Sequence, residues 1–329
     1  ATSRWESNFT PPSSLELGDY DLRIRVNDTD GDSTDWNSYS GVITVNNNLP
    51  SLVNYTLSLE FDVEPIWTYD ELQSNTFSLK ISGDGSIVVV TNGSASSNDW
   101  NGFDVFTGEG EFLWRYEYDD NDDPTYIQDV DVSDDGEHIV AISHDYVLVF
   151  DKNSSTPQWT WSSSSNEGGS IQDIDLAGNG ENFAIVTYQS GCNNDCYTLF
   201  FFDIDSDDYE WRDQAGSLHK VVLSYDGSSL AVKQKWSPFN LIYYDTEDSS
   251  PEWSGSIGAK SFAFSNNGDY LVVGGSSTSS LCGDCDESIA LYDTGSSTPV
   301  WTFDNDEDDV GIGIVDISSN GEFIGLARS

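Results

Sequence analysis

Six stretches of this chain repeat one pattern, and that repetition limits the possible folds more than any other feature. ISGDGSIVVVTN (81–92), VSDDGEHIVAIS (132–143), LAGNGENFAIVT (176–187), LSYDGSSLAVKQ (223–234), FSNNGDYLVVGGSS (264–277) and ISSNGEFIGLAR (317–328) each place an Asn/Asp-Gly dipeptide between two apolar segments. That dipeptide marks a hairpin, because glycine accepts the positive φ of a tight turn without a steric penalty. The turns fall at Gly85, Gly136, Gly180, Gly227, Gly268 and Gly321. Before each turn stands an alternating segment such as IQDVDVS (127–133) or IQDIDLA (171–177), and after it a β-rich strand.

A third strand then ends in aromatic-Asp: VLVFD (147–151), LFFFD (199–203), LIYYD (241–245) and IALYD (289–293). A polar turn leads to a tryptophan strand, as in PQWTW (157–161) or PVWTF (299–303). Trp67, Trp114, Trp159, Trp211, Trp253 and Trp301 recur at intervals of 42 to 52 residues. Four short strands at a period in the forties predict the blades of a β-propeller, an all-β fold. A solenoid or a row of sandwiches does not explain the fixed order of turn, strand and tryptophan. No segment carries helical periodicity over a useful length.

The aromatic-Asp, turn, Trp order resembles the repeats of the pyrroloquinoline-quinone-like and WD40-like propeller superfamily, over roughly residues 56–329. That family includes dehydrogenases, scaffolds and binding modules, so the resemblance implies architecture and leaves activity open. No quinone-binding set maps onto this chain.

The last repeat stops after two strands, whereas YTLSLEFDVEPIWTYD (55–70) reads as a third strand, a turn and a Trp strand. The expectation is therefore six blades, closed by pairing 55–70 with 312–327 so that no edge strand is exposed. A truncated seven- or eight-bladed ring is the alternative. Residues 1–48 break the repeat. Gly18-Asp19-Tyr20, followed by the alternating Leu22, Ile24 and Val26, looks like the tyrosine-corner region of an immunoglobulin-like sandwich and is similar to polycystic-kidney-disease-type domains. The expected organisation is a partial sandwich over 1–48, a linker over 49–54 and the propeller over 55–329. The chain has no methionine, and reads as a mature product or a piece of something longer.

Charge sets the class of partner. The 58 acidic residues against 12 basic ones give a formal net charge of −46. Such a surface repels phosphate backbones and anionic headgroups, so nucleic acid and membrane surfaces are disfavoured. No apolar run approaches the roughly 20 residues needed to span a bilayer. Marine or halophilic life explains the acidity most simply. Cys192 and Cys196, and Cys282 and Cys285, form two local pairs about ninety residues apart without a neighbouring histidine. Two short disulfides fit this better than a zinc site, and imply an oxidising, extracellular or cell-surface location. Five Asn-x-Ser/Thr sequons, at Asn8, Asn27, Asn54, Asn92 and Asn153, agree with a surface protein.

Several candidate sites follow. Asp28, Asp30, Asp32 and Asp35 surround a glycine turn and offer hard oxygens to calcium, although the spacing departs from an EF-hand and the terminal glutamate is missing. A solvated acidic turn is the alternative. Calcium is the one cofactor the sequence suggests. On one face of the ring, loops carry Asp119, Asp120, Asp122 and Asp123, then Trp100, then Asp306 and Asp308, a candidate binding face. Long tips at 91–102, 188–197 and 274–288 alternate with short ones and include both cysteine pairs. Asp129, Asp131, Asp173, Asp175 and Asp316 lie on inner strands, where the expectation is hydrated channel carboxylates. His138, His144 and His219 read as solvated loop histidines. HExxH, GxSxG and P-loop motifs are absent from the sequence, so the expectation leans away from an enzyme.

The resulting expectation is a surface module that binds protein or glycan. Two alternatives stand beside it: a filament or surface-layer subunit that assembles with its own copies by strand addition through the incomplete sandwich, and a calcium-dependent hydrolase or quinone-dependent dehydrogenase.

Overall fold

The computed structural model describes residues 3–8, 18–24, 37–45, 56–61, 65–69, 78–92, 101–118, 127–166, 168–191, 197–234, 240–256, 259–276, 287–304 and 312–328. The chain divides into two compact units, Ala1–Pro65 and Ile66–Ser329.

The first unit contains β1 (Ser3–Asn8), β2 (Gly18–Ile24), β3 (Asn37–Val45) and β4 (Thr56–Phe61). β1 pairs antiparallel with β4, Ser3 opposite Phe61 and Asn8 opposite Thr56. β2 pairs antiparallel with β3, with a register shift between Tyr20 and Leu22. Thr56–Phe61 is a strand, as expected, and its hydrogen-bonded partner among the described residues is β1. Alternation specifies which face of a strand is apolar; it does not name the neighbour, and β1 satisfies the same ladder. The division at Pro65 also places this strand with the N-terminal unit.

The second unit is built from four-stranded antiparallel sheets, each taken up in chain order. The first comprises β5 (Leu79–Ile81), β6 (Ile87–Asn92), β7 (Asn101–Thr107) and β8 (Phe112–Tyr118). The second comprises β9 (Asp129–Val132), β10 (His138–Ile142), β11 (Tyr146–Asp151) and β12 (Trp159–Ser162). The third comprises β13 (Ser170–Leu176), β14 (Asn182–Tyr188), β15 (Tyr197–Asp203) and β16 (Tyr209–Asp213). The fourth comprises β17 (Leu218–Leu223), β18 (Leu230–Gln234), β19 (Asn240–Tyr244) and β20 (Trp253–Ser256). The fifth comprises β21 (Ala259–Phe264), β22 (Tyr270–Ser276), β23 (Glu287–Asp293) and β24 (Trp301–Asp304). β25 (Ile312–Ile317) and β26 (Ile324–Arg328) form a two-stranded sheet among the described residues. The exposed apolar side chains Ile314, Phe323 and Leu326 belong to this last repeat.

These sheets are the blades read from the repeat, and the core lies between them. Phe103 and Val105 of the first sheet pack with Val130, Ile139 and Phe150 of the second. Val147 and Trp161 of the second meet Phe183, Phe200 and Phe202 of the third. Similar clusters join the third sheet to the fourth and the fourth to the fifth. A strand buried on both faces in this way has little need of alternation: β6, β7, β14 and β15 are almost wholly buried along their length.

The glycines of the six turns all adopt positive φ, between 69° and 75°. A serine before the turn caps it in most repeats. Ser82 Oγ donates to Asp84 Oδ1 at 2.7 Å, and the Ile87 N–H donates back to Ser82 Oγ at 3.0 Å. Neighbouring turns are then linked through backbone: the Asp84 N–H donates to the Asp134 carbonyl, the Asp134 N–H to Gly178 and the Asn179 N–H to Tyr225.

Candidate functional site

The strands before the turns are the innermost of each sheet, and from the third sheet onward they share a defect. Register shifts leave one extra residue at Gln172 in β13, His219 in β17, Lys260 in β21 and Gly313 in β25. A bulge re-aims its side chain and increases local twist. Here it recurs at one place in successive sheets, at the end of the strand away from the Asn/Asp-Gly turns. Gln172, His219 and Lys260 are all exposed. Connections between second and third strands leave from this same end, so the bulges mark one face of the ring.

Below the bulges, the inner-strand carboxylates are more than hydrated lining. Asp131 Oδ2 accepts the Leu176 N–H of the next sheet at 2.9 Å. Asp173 Oδ2 accepts the Val221 N–H at 2.7 Å, and Asp175 Oδ2 the Leu223 N–H at 2.7 Å. Each clamp joins one sheet to its successor through a backbone donor that the four-stranded ladder leaves free. Asp316 is exposed and, among the described residues, accepts only the N–H of its own neighbour Ile317. The expectation of plain channel hydration is thus corrected for Asp131, Asp173 and Asp175.

Lys80 enters this group from the first sheet, with Nζ 3.1 Å from Asp131 Oδ1. Burial pulls its ammonium down, but Asp131, Asp175 and Asp129 outweigh that pull and hold it above its ordinary value. Burial pushes the Asp173 carboxyl up to about 7, against the opposing Val221 hydrogen bond and the Lys220 charge. Asp175 is raised well above the usual carboxylate range, by burial first and then by Asp131. The group is a compact array of carboxylates around one ammonium, two of them reluctant to ionise.

The fourth sheet differs from the others. Lys220 stands directly opposite Lys233 across β17 and β18. Burial lowers Lys233, and Lys220 and Lys260 lower it further. Like charges in direct cross-strand register repel. The chain has only six lysines in all, and three of them meet here. Sequence reading missed this cluster, although the scarcity of cations was the available signal.

The sequence-predicted residues Asp28, Asp30, Asp32, Asp35, Trp100, Asp119, Asp120, Asp122, Asp123, Asp306 and Asp308 lie outside the described residues, as do Cys192, Cys196, Cys282 and Cys285. The histidines are dispersed. His138 starts β10 and is half-buried, which corrects its reading as a solvated loop residue, while the His144 ring Nδ1 lies 2.7 Å from Asp145 Oδ1. Among the described residues no three His, Cys, Asp or Glu side chains are disposed to hold a metal ion, and no helix is long and apolar enough to cross a membrane. A groove of about 530 Å³ lies between Tyr243, Glu252, Trp253 and Thr294, at the end of the sheets opposite the bulges, where the Trp253 indole donates to the Thr294 carbonyl.

Repeated four-stranded sheets, packed face to face around inner strands that carry the polar groups, define a β-propeller. Among solved structures, a chain of the Mitotic Checkpoint Complex crystal structure is similar to this one with a TM-score of 0.52 and 14% identity, covering 82% of this chain and 96% of that chain. In all, 1220 solved chains match, so the likeness shows a widely reused fold and carries no activity with it. No protein-family model and no curated protein matches the chain.

Proposed function

We propose that this chain is a binding module, and that the propeller face carrying the inner-strand bulges receives a protein or glycan partner outside the cytoplasm. One observation carries the reading. A constant backbone device, the bulge, presents a different polar side chain in successive sheets: Gln172, His219 and Lys260. A scaffold held constant while its presented chemistry varies suits recognition better than a reaction, which needs a nucleophile and a base brought together. The acidic composition and the two cysteine pairs support a salt-exposed, oxidising setting.

The test is a screen of the intact chain against arrayed glycans and displayed proteins, repeated with the triple variant Gln172→Ala, His219→Ala, Lys260→Ala. The expected result is a saturable binder that the triple variant loses at least tenfold. A control on the opposite face, Asp84→Ser with Asp135→Ser, is expected to retain it. Binding indifferent to the bulge residues, or no binder in either array, overturns the proposal.

A further inference from the structure

The structure describes the asparagine side chain of two of the Asn-x-Ser/Thr sequons, Asn92 and Asn153, and it separates them. Asn92 ends β6 opposite Gly102 and is 1% exposed. Asn153 lies in the turn between β11 and β12, where Asn153 and Ser155 are both exposed. A glycan is bulky and solvated, so its asparagine has to lie on the surface. Of the two, Asn153 alone meets that condition.

The turn around Asn153 is fixed from below. The Lys152 N–H donates to the Glu137 carbonyl at 3.0 Å, and the Lys152 carbonyl receives the Trp114 indole. Asp151 Oδ1 accepts the Asn153 N–H at 2.8 Å, and the Ser154 N–H donates to the Asp151 carbonyl at 3.0 Å. Asn153 Nδ2 donates to the same Asp151 Oδ1 at 3.0 Å, which uses one of its two hydrogens. Among the described residues the Ser155 hydroxyl has no hydrogen-bond partner. The two recognition groups of the sequon thus stand outward on a turn that their neighbours hold in place.

The fold does not call for asparagine here. Asparagine is favoured in turns largely because it tolerates positive φ, and Asn153 does not adopt it. Asp205, Glu247 and Gly295 occupy the same place in the third, fourth and fifth sheets, and each donates its N–H to the aspartate two residues earlier as Asn153 does.

We propose that Asn153 is an N-glycosylation site. The donor is a polyprenyl-diphosphate-linked oligosaccharide. A bond forms between Asn153 Nδ2 and the sugar C1, and the C1–O bond to the diphosphate breaks. The diphosphate leaves with the electron pair, and the amide proton passes to a base of the transferase. The inference rests on the chain working outside the cytoplasm, as proposed above. The β11–β12 turn lies at the end of the sheets that carries the Asn/Asp-Gly turns, so the glycan leaves the bulge face open to its partner.

The intact chain, recovered from the cells that make it and from their medium, is digested and its peptides are read by mass spectrometry. The peptide with Asn153 is expected to carry an added oligosaccharide mass, and the peptide with Asn92 to lack one. Ser155→Ala removes the sequon and is expected to abolish the added mass; Ser155→Thr keeps a hydroxyl and is expected to retain it. Bare Asn153 in chain found outside the cytoplasm overturns this proposal and leaves the location standing. Chain found only inside the cytoplasm, with Asn153 bare, overturns both. An added mass that survives Ser155→Ala, or one on Asn92 and not on Asn153, also overturns the proposal.

Discussion

The Trp67 indole donates its Nε1–H to the carbonyl of Gly108 at 3.0 Å, and stacks on Phe106 with ring centroids 5.6 Å apart. This pair repeats along the molecule. Trp114 donates to Lys152 and stacks on Phe150; Trp159 donates to Ile204 and stacks on Phe202; Trp211 donates to Thr246 and stacks on Tyr244. In each case the acceptor lies two residues after the stacked aromatic, in the next sheet. Trp159→Phe keeps most of the stack and loses the hydrogen bond, and is expected to cost about 1–2 kcal/mol. Trp159→Ala loses both, at about 3–5 kcal/mol. Urea denaturation of the two variants measures the difference; equal losses would mean that the indole N–H contributes nothing.

Asp104 is fully buried in the first sheet and is gripped by Arg115, whose Nε and Nη2 donate at 2.6 and 2.9 Å. Tyr69 adds a third contact from the segment that carries Trp67. Arg115→Met is expected to cost about 3–5 kcal/mol, because it leaves a buried carboxylate unpaired. Adding Asp104→Leu should recover much of that loss. Chemical denaturation of the single and double variants tests both statements, and a double variant no better than the single would show that the pair acts through packing.

The aromatic-Asp and tryptophan motifs were legible because they are local devices repeated in register. In Phe150-Asp151-Lys152, for example, the aromatic stacks, the aspartate caps the turn by accepting the Asn153 N–H, and the next carbonyl receives the indole. The partner of Thr56–Phe61 was not legible, since an alternating strand pairs with any compatible edge. Nor were the clamps. Asp173 and Asp316 look alike as inner-strand carboxylates, and only the neighbouring sheet distinguishes the one that reaches a backbone donor. Lys220 and Lys233 lie thirteen residues apart, and their opposition follows from the register that the turn at Gly227 sets between β17 and β18, with Leu223 opposite Leu230, which hydrophobic periodicity alone does not reveal.

Two turn glycines with the same φ should tolerate alanine differently. Gly85 and Gly136 both sit at 71°. A Cβ on Gly85 meets nothing within 4 Å, whereas on Gly136 it comes within 2.7 Å of Ile87 Cγ1. Gly85→Ala is expected to cost about 1 kcal/mol for the backbone alone. Gly136→Ala should cost about 1–3 kcal/mol more, since Ile87 belongs to the packed core between the first two sheets. Thermal melts of the pair give the comparison, and equal costs would mean that Ile87 yields freely.

Asp173 links stability to pH. Its folded carboxyl lies near 7 because burial disfavours the anion, whereas an unfolded aspartate titrates near 4. Between these values the folded chain holds the extra proton, so stability contributed by the neutral form is lost as pH rises from about 4 through 7. The limit is about 4 kcal/mol for a shift of this size. Asp173→Asn retains an acceptor for Val221 and cannot ionise. It is expected to flatten the decline between pH 5 and 8 and to match or exceed the parent at pH 8. A parallel pH profile in the variant would assign the dependence elsewhere, Asp175 first.

Salt should act in the opposite sense to its effect on an ordinary ion-paired surface. The net charge of −46 makes self-repulsion the main long-range electrostatic effect, and screening shortens its reach from about 10 Å at 0.1 M salt to about 3 Å at 1 M. The turn face shows the crowding locally: Asp134 is pushed above the usual carboxylate range by burial first, then by Asp131, Asp135 and Asp84. The melting temperature is therefore expected to rise by several degrees between 0.1 and 1 M potassium chloride. Asp134→Asn should raise it at low salt and reduce the size of that rise, because one of the repelling carboxylates is gone. A melting temperature that stays level or falls with added salt would mean that cation pairs such as Arg115–Asp104 and Lys80–Asp131 outweigh the surplus of aspartate.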